Sequence, residues 1–322
     1  MPASSLSAAW AAQRIKNLSL FKAVINAFGI NPKRGEVITI LIDSFDYPRL
    51  GPGMMWEAAA LNISSNGRSV NLEEYPLEIR RNQSGLEVKT NRRLVSTDVV
   101  ISSTPLSELP SVLKCYDDDV NNAAMSLKYR DFLTIGLVVK GEQHFSDNWI
   151  YIHSPFVKVG RIQNFRSWSP ELVKPGFTLL GLEYFVNLGD ELWESKDEDL
   201  VELAKIELTS LGLVQFEDIK EGYVVRVPKA YPVYDENYAD SVTIIADWLE
   251  REWLNVVAVG RNGMHRYNNQ DHSMLTAMVA IDNLFSSEKI DLWKINVENE
   301  YHESKSTQDN LGGRSSPTIL NT

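Results

Sequence analysis

The stretch Val259–Leu284, VGRNGMHRYNNQDHSMLTAMVAIDNL, leaves an apolar strand, crosses a loop of charged, amide and ring groups, and enters a helix. Gly260 and Gly263 stand at the exit of the strand, where a sharp turn needs residues without a Cβ. The helix is expected to open between Asn268 and Asp271. Its first turn then carries free N–H groups and a partial positive charge. Such a terminus favours an anion, or a group that becomes one, in front of it. Two readings of these residues stay open. One is a capped strand-turn-helix connection; the other is a cradle in which Gly263 admits a flat ring and Arg261 reaches a phosphate.

Working outward, the strand NVVAVG is preceded by a helix expected from Tyr238 to Glu250, and the helix after the loop runs to about Phe285. The middle of the chain reads as antiparallel strands: FLTIGLVVK, NWIYIHSP, VGRIQNF and TLLGLEYFVN, then GYVVRVPKAYPVYD. A helix, DEDLVELAKIELTSLGL, interrupts them, with Asp197 or Asp199 as N-cap and Gly212 near its end. Before them come SVNLEEYPLEIRR, LEVKTNRRLVS and DVVISSTP as short strands, and a helix from Met54 to about Leu61 behind Gly51, Pro52 and Gly53. A helix from about Leu106 leads into a loop around Cys115. Pro76 within a strand implies an edge or a bulge. The run Val37–Ile42 has strand propensity, and Trp10, Ile15, Leu18, Phe21, Ile25 and Phe28 follow helical spacing.

These segments predict an α/β (α+β) chain with a mainly antiparallel β domain inserted into an incomplete Rossmann-like domain. The expected divisions are a helical segment 1–35, first-domain pieces 36–105 and 236–302, an inserted domain 106–235, and a polar disordered tail 303–322.

Three segments resemble the family that contains amine oxidases, protoporphyrinogen oxidase and UDP-galactopyranose mutase. VGRNGMHRYNNQDHSMLTAM is similar to its C-terminal flavin segment, in which the helix points its N-terminus at the isoalloxazine ring. DYPRLGPGMMWEAA resembles its turn near the cofactor phosphates, and STDVVISSTPLSEL its strand-turn that closes the cofactor domain. NWIYIHSPFVKVGRIQNFRSWSPE with KAYPVYD is most similar to the mutase branch. The resemblance implies FAD as cofactor, held by Gly260, Arg261, Asn268, Asn269, Asp271, Ser273 and Met274 with Gly51 and Gly53. It implies a small-molecule substrate such as a nucleotide sugar, lying along Arg161, Asn164, Tyr231 and Tyr234. No protein acid or base is assigned. Ala277 stands where the family commonly has glycine.

The family's opening fingerprint, G-x-G-x-x-G after a first strand, is not found. GPGMMW lacks the third glycine and follows a proline-broken loop rather than a strand. The expectations that follow are part of a longer flavoenzyme, an inactive gene product, or a chain whose cofactor domain is completed by a partner chain. A non-catalytic nucleotide-sugar-binding or scaffold module is the alternative function.

Composition narrows the rest. The chain has 322 residues, 43% hydrophobic and 23% charged, which is ordinary for a globular protein. A net charge of −11 argues against nucleic acid as a partner. Cys115 is the one cysteine, so an internal disulfide and a thiolate zinc site are excluded. A reducing, cytoplasmic location is expected. No apolar run reaches the length of a membrane span. His153, His265 and His272 form no metal-ligand pattern, and the serines of ISSTP lack a nucleophile elbow.

Overall fold

The computed structural model describes residues 46–83, 85–142 and 144–295. The helix expected in 1–35, the strand at 37–42 and the tail at 303–322 lie outside the described residues. In chain order the strands are β1 (Pro76–Asn82), β2 (Gly85–Thr90), β3 (Leu94–Thr97), β4 (Val100–Ser102), β5 (Tyr129–Lys140), β6 (Trp149–Tyr151), β7 (Arg161–Asn164), β8 (Phe177–Val186), β9 (Ile219–Pro232) and β10 (Val256–Ala258). The longer helices are α1 (Gly53–Ser65), α2 (Asp118–Ser126), α3 (Asp197–Ser210), α4 (Tyr238–Glu252) and α5 (Gln270–Phe285).

The chain divides into two compact units. Among the described residues, 74–128 and 232–295 form the first, and 46–73 with 129–231 form the second. The second unit thus takes 129–231 together with the segment carrying Gly51, Gly53 and α1.

The first unit holds a three-stranded antiparallel meander, order β1-β2-β3, and a parallel pair of β4 with β10. Pro76 opens the edge strand β1, and its register slips between Pro76 and Glu78, as a residue without an N–H requires. Leu106, Leu109 and Leu113 pack with Val120 and Ala124 of α2 and with Ile245 and Leu249 of α4. Helix α2 was not anticipated; the loop expected around Cys115 is followed by this helix. Its signal lies in the sequence, because the Asp117 side chain accepts the N–H groups of Asp119 and Val120 as an N-cap.

The second unit is a five-stranded sheet, order β6-β7-β8-β5-β9. Strict alternation places Leu133, Ile135, Leu137 and Val139 of β5 on one face, against Leu180 and Leu182 of β8. Leu200, Ala204 and Leu208, spaced four apart on α3, pack in the same core. Each such buried leucine contributes about 1.5–3 kcal/mol relative to exposure. Lys196, not Asp197 or Asp199, is the N-cap of α3; both aspartates sit in the first turn, where they complement the helix dipole. Gly212, at φ +71°, ends the helix. The Gly212 and Leu213 N–H groups return to the carbonyls of Thr209 and Leu208, a Schellman closure.

Candidate functional site

Strand β10 delivers the chain to Val259, whose N–H joins the Ser102 carbonyl at 2.9 Å. Gly260 follows at φ +76°, a conformation that costs an L side chain about 1–2 kcal/mol. Its N–H donates to Thr276 Oγ1 of α5 at 3.0 Å. Residues Gly260–Gly263 then form a single helical turn. The Asn262 carbonyl accepts the Leu106 N–H at 2.9 Å. A Cβ on Gly263 would stand 2.8 Å from the Ser102 carbonyl oxygen and 3.2 Å from Ser103 Cα. Gly263 thus serves backbone packing against the exit of β4. Thr276 gives no sign of its role in the sequence, since its partner is 16 residues away.

The middle of the loop is fastened to the segment after β9. His265, 1% exposed, has φ +47°, and its Nε2 lies 3.3 Å from the Val233 carbonyl. Burial pulls the imidazole down to about 4, so the ring is neutral near pH 7 and the Nε2–H tautomer donates to Val233. The Tyr234 hydroxyl accepts the Tyr267 N–H at 2.7 Å, and the Tyr234 ring stacks on Tyr238 with centroids 4.2 Å apart. Burial raises the Tyr234 phenol above its ordinary range.

The Arg261 guanidinium lies over the Tyr267 ring and donates from Nε and from a terminal nitrogen to the Asn268 carbonyl. These contacts hold Arg261 across the loop from Tyr267 to Asn268. Asn268 is buried, and its Oδ1 accepts the Ser273 hydroxyl at 2.9 Å. Asn269 is the N-cap position of α5 without a side-chain cap, and its carbonyl accepts the Ser273 N–H. Asp271 stands in the first turn and accepts the N–H and Nδ1 of His272. Met274 is exposed on the same end of the helix. Seven of the expected cofactor residues are therefore gathered in one segment. Gly51 and Gly53 are in the other unit, where Gly51, at φ +88°, forms a turn with its N–H on the Pro48 carbonyl.

In the second unit, Arg161 and Glu183 are cross-strand partners on β7 and β8. Nε of Arg161 and the amide of Gln163 donate to different oxygens of Glu183, a residue 1% exposed. The anion that an inward arginine needs is thus supplied by its own sheet. Burial alone would lower the arginine; the Glu183 carboxylate outweighs it and holds the charge on. The Tyr151 ring lies beneath the same guanidinium. Asn164 caps the helical turn Phe165–Trp168, accepting the Arg166 and Ser167 N–H groups and donating to the Phe145 carbonyl at 2.7 Å. Tyr231 packs edge-on against Phe132 and beside Phe185.

These two units define a class by fold: the chain has an FAD-dependent oxidoreductase-like fold. It is similar to a reduced UDP-galactopyranose mutase, with TM-score 0.66 and 23% identity over 76% of this chain and 53% of that one. It is also similar to a protein assigned as a protoporphyrinogen oxidase from an Exiguobacterium species, with TM-score 0.58 and 16% identity over 73% and 51%. A third likeness is to a fatty acid isomerase from P. acnes that produces CLA, with TM-score 0.54 and 14% identity over 73% and 52%. The chain spans about half the length of each of these structures. No protein-family model matches the sequence, and no curated protein matches it. No helix among the described residues is long and apolar enough to cross a membrane.

Proposed function

We propose that this chain is a flavin-binding protein of the oxidoreductase class, nearest the UDP-galactopyranose mutase-like branch, with FAD held at the segment 260–274. The observation that carries this reading is how rigidly the segment is placed. Thr276, Leu106, Val233 and Tyr234 each fix one of its residues by a hydrogen bond, so the first turn of α5 has a set direction. Rigid placement of a helix tip is what a cofactor with a developing anion needs, because the favourable field falls off within one turn. The residues fit the group: Gly260 takes a φ of +76° that a side chain would strain, and α5 is a 16-residue helix whose N-cap Asn269 makes no side-chain cap. FAD, when bound, supplies hydride or N5 chemistry. The chain contributes position and field, with Asn268 and Ser273 holding the helix entry and Arg261 holding the loop against it.

For the substrate we propose a nucleotide sugar. Asn164, Tyr234 and Arg161 each hold polar partners within their own units, so we assign substrate contact first to Tyr231. A purified full-length sample tests the reading. Visible flavin absorbance that survives gel filtration, or returns on adding FAD, is the expected result. A colourless protein that takes up no FAD yet binds UDP-galactose would instead establish a non-catalytic binding module.

A further inference from the structure

Helix α4, strand β10 and the segment 289–293 enclose a cleft of about 560 Å³, within the size range of small-molecule sites. Its walls are mixed: Val242, Leu249, Trp253, Ile290, Leu292 and Trp293 give it apolar surface, and Thr243, Asn283 and charged side chains give about as much polar surface. One cation stands inside it. Arg266 is half-buried, and the described residues offer its guanidinium one hydrogen-bond acceptor, the Trp293 carbonyl at 2.6 Å. No carboxylate among the described residues forms an ion pair with it. Asp291 acts on it only through space; its own carboxylate accepts the Trp293 N–H at 2.9 Å and lies 3.8 Å from Lys294 Nζ. A guanidinium has five N–H donors in a fork that matches a carboxylate, and enclosing one without an anion costs several kcal/mol.

We propose that this cleft binds a monoanionic carboxylate with an apolar tail, its head on Arg266 and its tail along Leu249, Trp253 and Ile290. Two features select that class. The lining carries three exposed acids, Asp247, Glu250 and Asp291, against Lys289 and Arg266, which disfavours phosphates and other multiply charged anions more than a single charge. Leu249, Trp253 and Ile290 supply a continuous apolar stretch on which a hydrocarbon tail can be buried. Arg266 lies within the segment 260–274, but Gly260, Arg261, Asn268, Asn269, Asp271, Ser273 and Met274 do not line the cleft, so loss of dodecanoate binding and loss of flavin binding are distinguishable.

The test is calorimetric titration of the full chain with sodium dodecanoate below its micelle concentration, with 1-dodecanol and inorganic phosphate as comparison probes. We expect saturable one-site binding, at least about tenfold tighter than dodecanol, a difference of about 1.4 kcal/mol. Arg266→Met should weaken it by at least about tenfold. Ile290→Glu, at the exposed mouth, should do the same while keeping the guanidinium and the fold, and it decides the matter if Arg266→Met does not fold. Absent saturable heat, equal affinity of Ile290→Glu and parent, dodecanol binding as tightly as the acid, or phosphate displacing dodecanoate would each overturn the proposal.

Discussion

His265 is the residue at which proton chemistry and loop geometry meet. Its ordinary value of 6.5 falls to about 4 on burial, so the unfolded chain binds the proton more readily than the folded one between those values. By linkage, its contribution is fully present above pH 6.5 and is lost as pH falls toward 4. The shift bounds that loss at about 3 kcal/mol. Asparagine tolerates the same left-handed backbone but does not titrate. The difference in urea midpoint between pH 7 and pH 4.5 should therefore shrink in His265→Asn, and an unchanged difference would remove His265 as its source. Gly263 makes a second claim at this scale. Its substitute methyl meets backbone atoms that cannot rotate away, so Gly263→Ala should cost about 1–3 kcal/mol. An urea midpoint equal to the parent's would show that the two turns separate freely.

Among elements, α3 is tied to its sheet by more than apolar packing. The buried Glu207 carboxylate accepts the Lys158 N–H at 2.6 Å, the Val159 N–H at 3.1 Å and the Tyr184 hydroxyl at 3.0 Å. Burial and this carboxylate together raise the Tyr184 phenol well above its ordinary range. Glu207→Ala leaves three donors without an acceptor and should cost roughly 2–4 kcal/mol by chemical denaturation. A loss no greater than that of a surface alanine substitution would show the contact to be incidental. For the loop before α5, Arg261→Lys is informative, since a lysine is a point charge that cannot both lie flat on Tyr267 and grip one carbonyl from two nitrogens. Flavin retention after gel filtration should fall at least about tenfold while stability changes by less than about 1 kcal/mol. Full retention would separate the clamp from cofactor binding.

At the scale of the whole molecule, ligand binding and folding share one free-energy scale. Under the flavin reading, FAD at a hundred times its Kd adds about 2.7 kcal/mol to the stability of the chain and raises its Tm. Riboflavin at matched saturation should do likewise if the segment 260–274 holds the ring end. A Tm that ignores both flavins counts against the cofactor assignment and leaves the fold likeness as a matter of architecture alone. The two units should respond unequally, because the proposed flavin segment belongs to the one built around β4 and β10.

Local pattern was enough to read β5, β8, α3, α4 and α5 nearly to their ends, because each carries its burial period in its own residues. Pro76 announced its edge position for an equally local reason, a missing donor. The strand-turn-helix from Val256 to Phe285 was legible in order and in its glycines, though not in what those glycines avoid. Only tertiary structure decided that Gly263 answers to Ser102, that Arg161 is neutralised by Glu183, and that Asn164 is a cap. It also grouped 46–73 with the second unit and set Arg266 in the cleft beside α4. The physical reason is the same in each case: a side chain's partner across the fold is chosen by distance in space, and a sequence records distance along the chain.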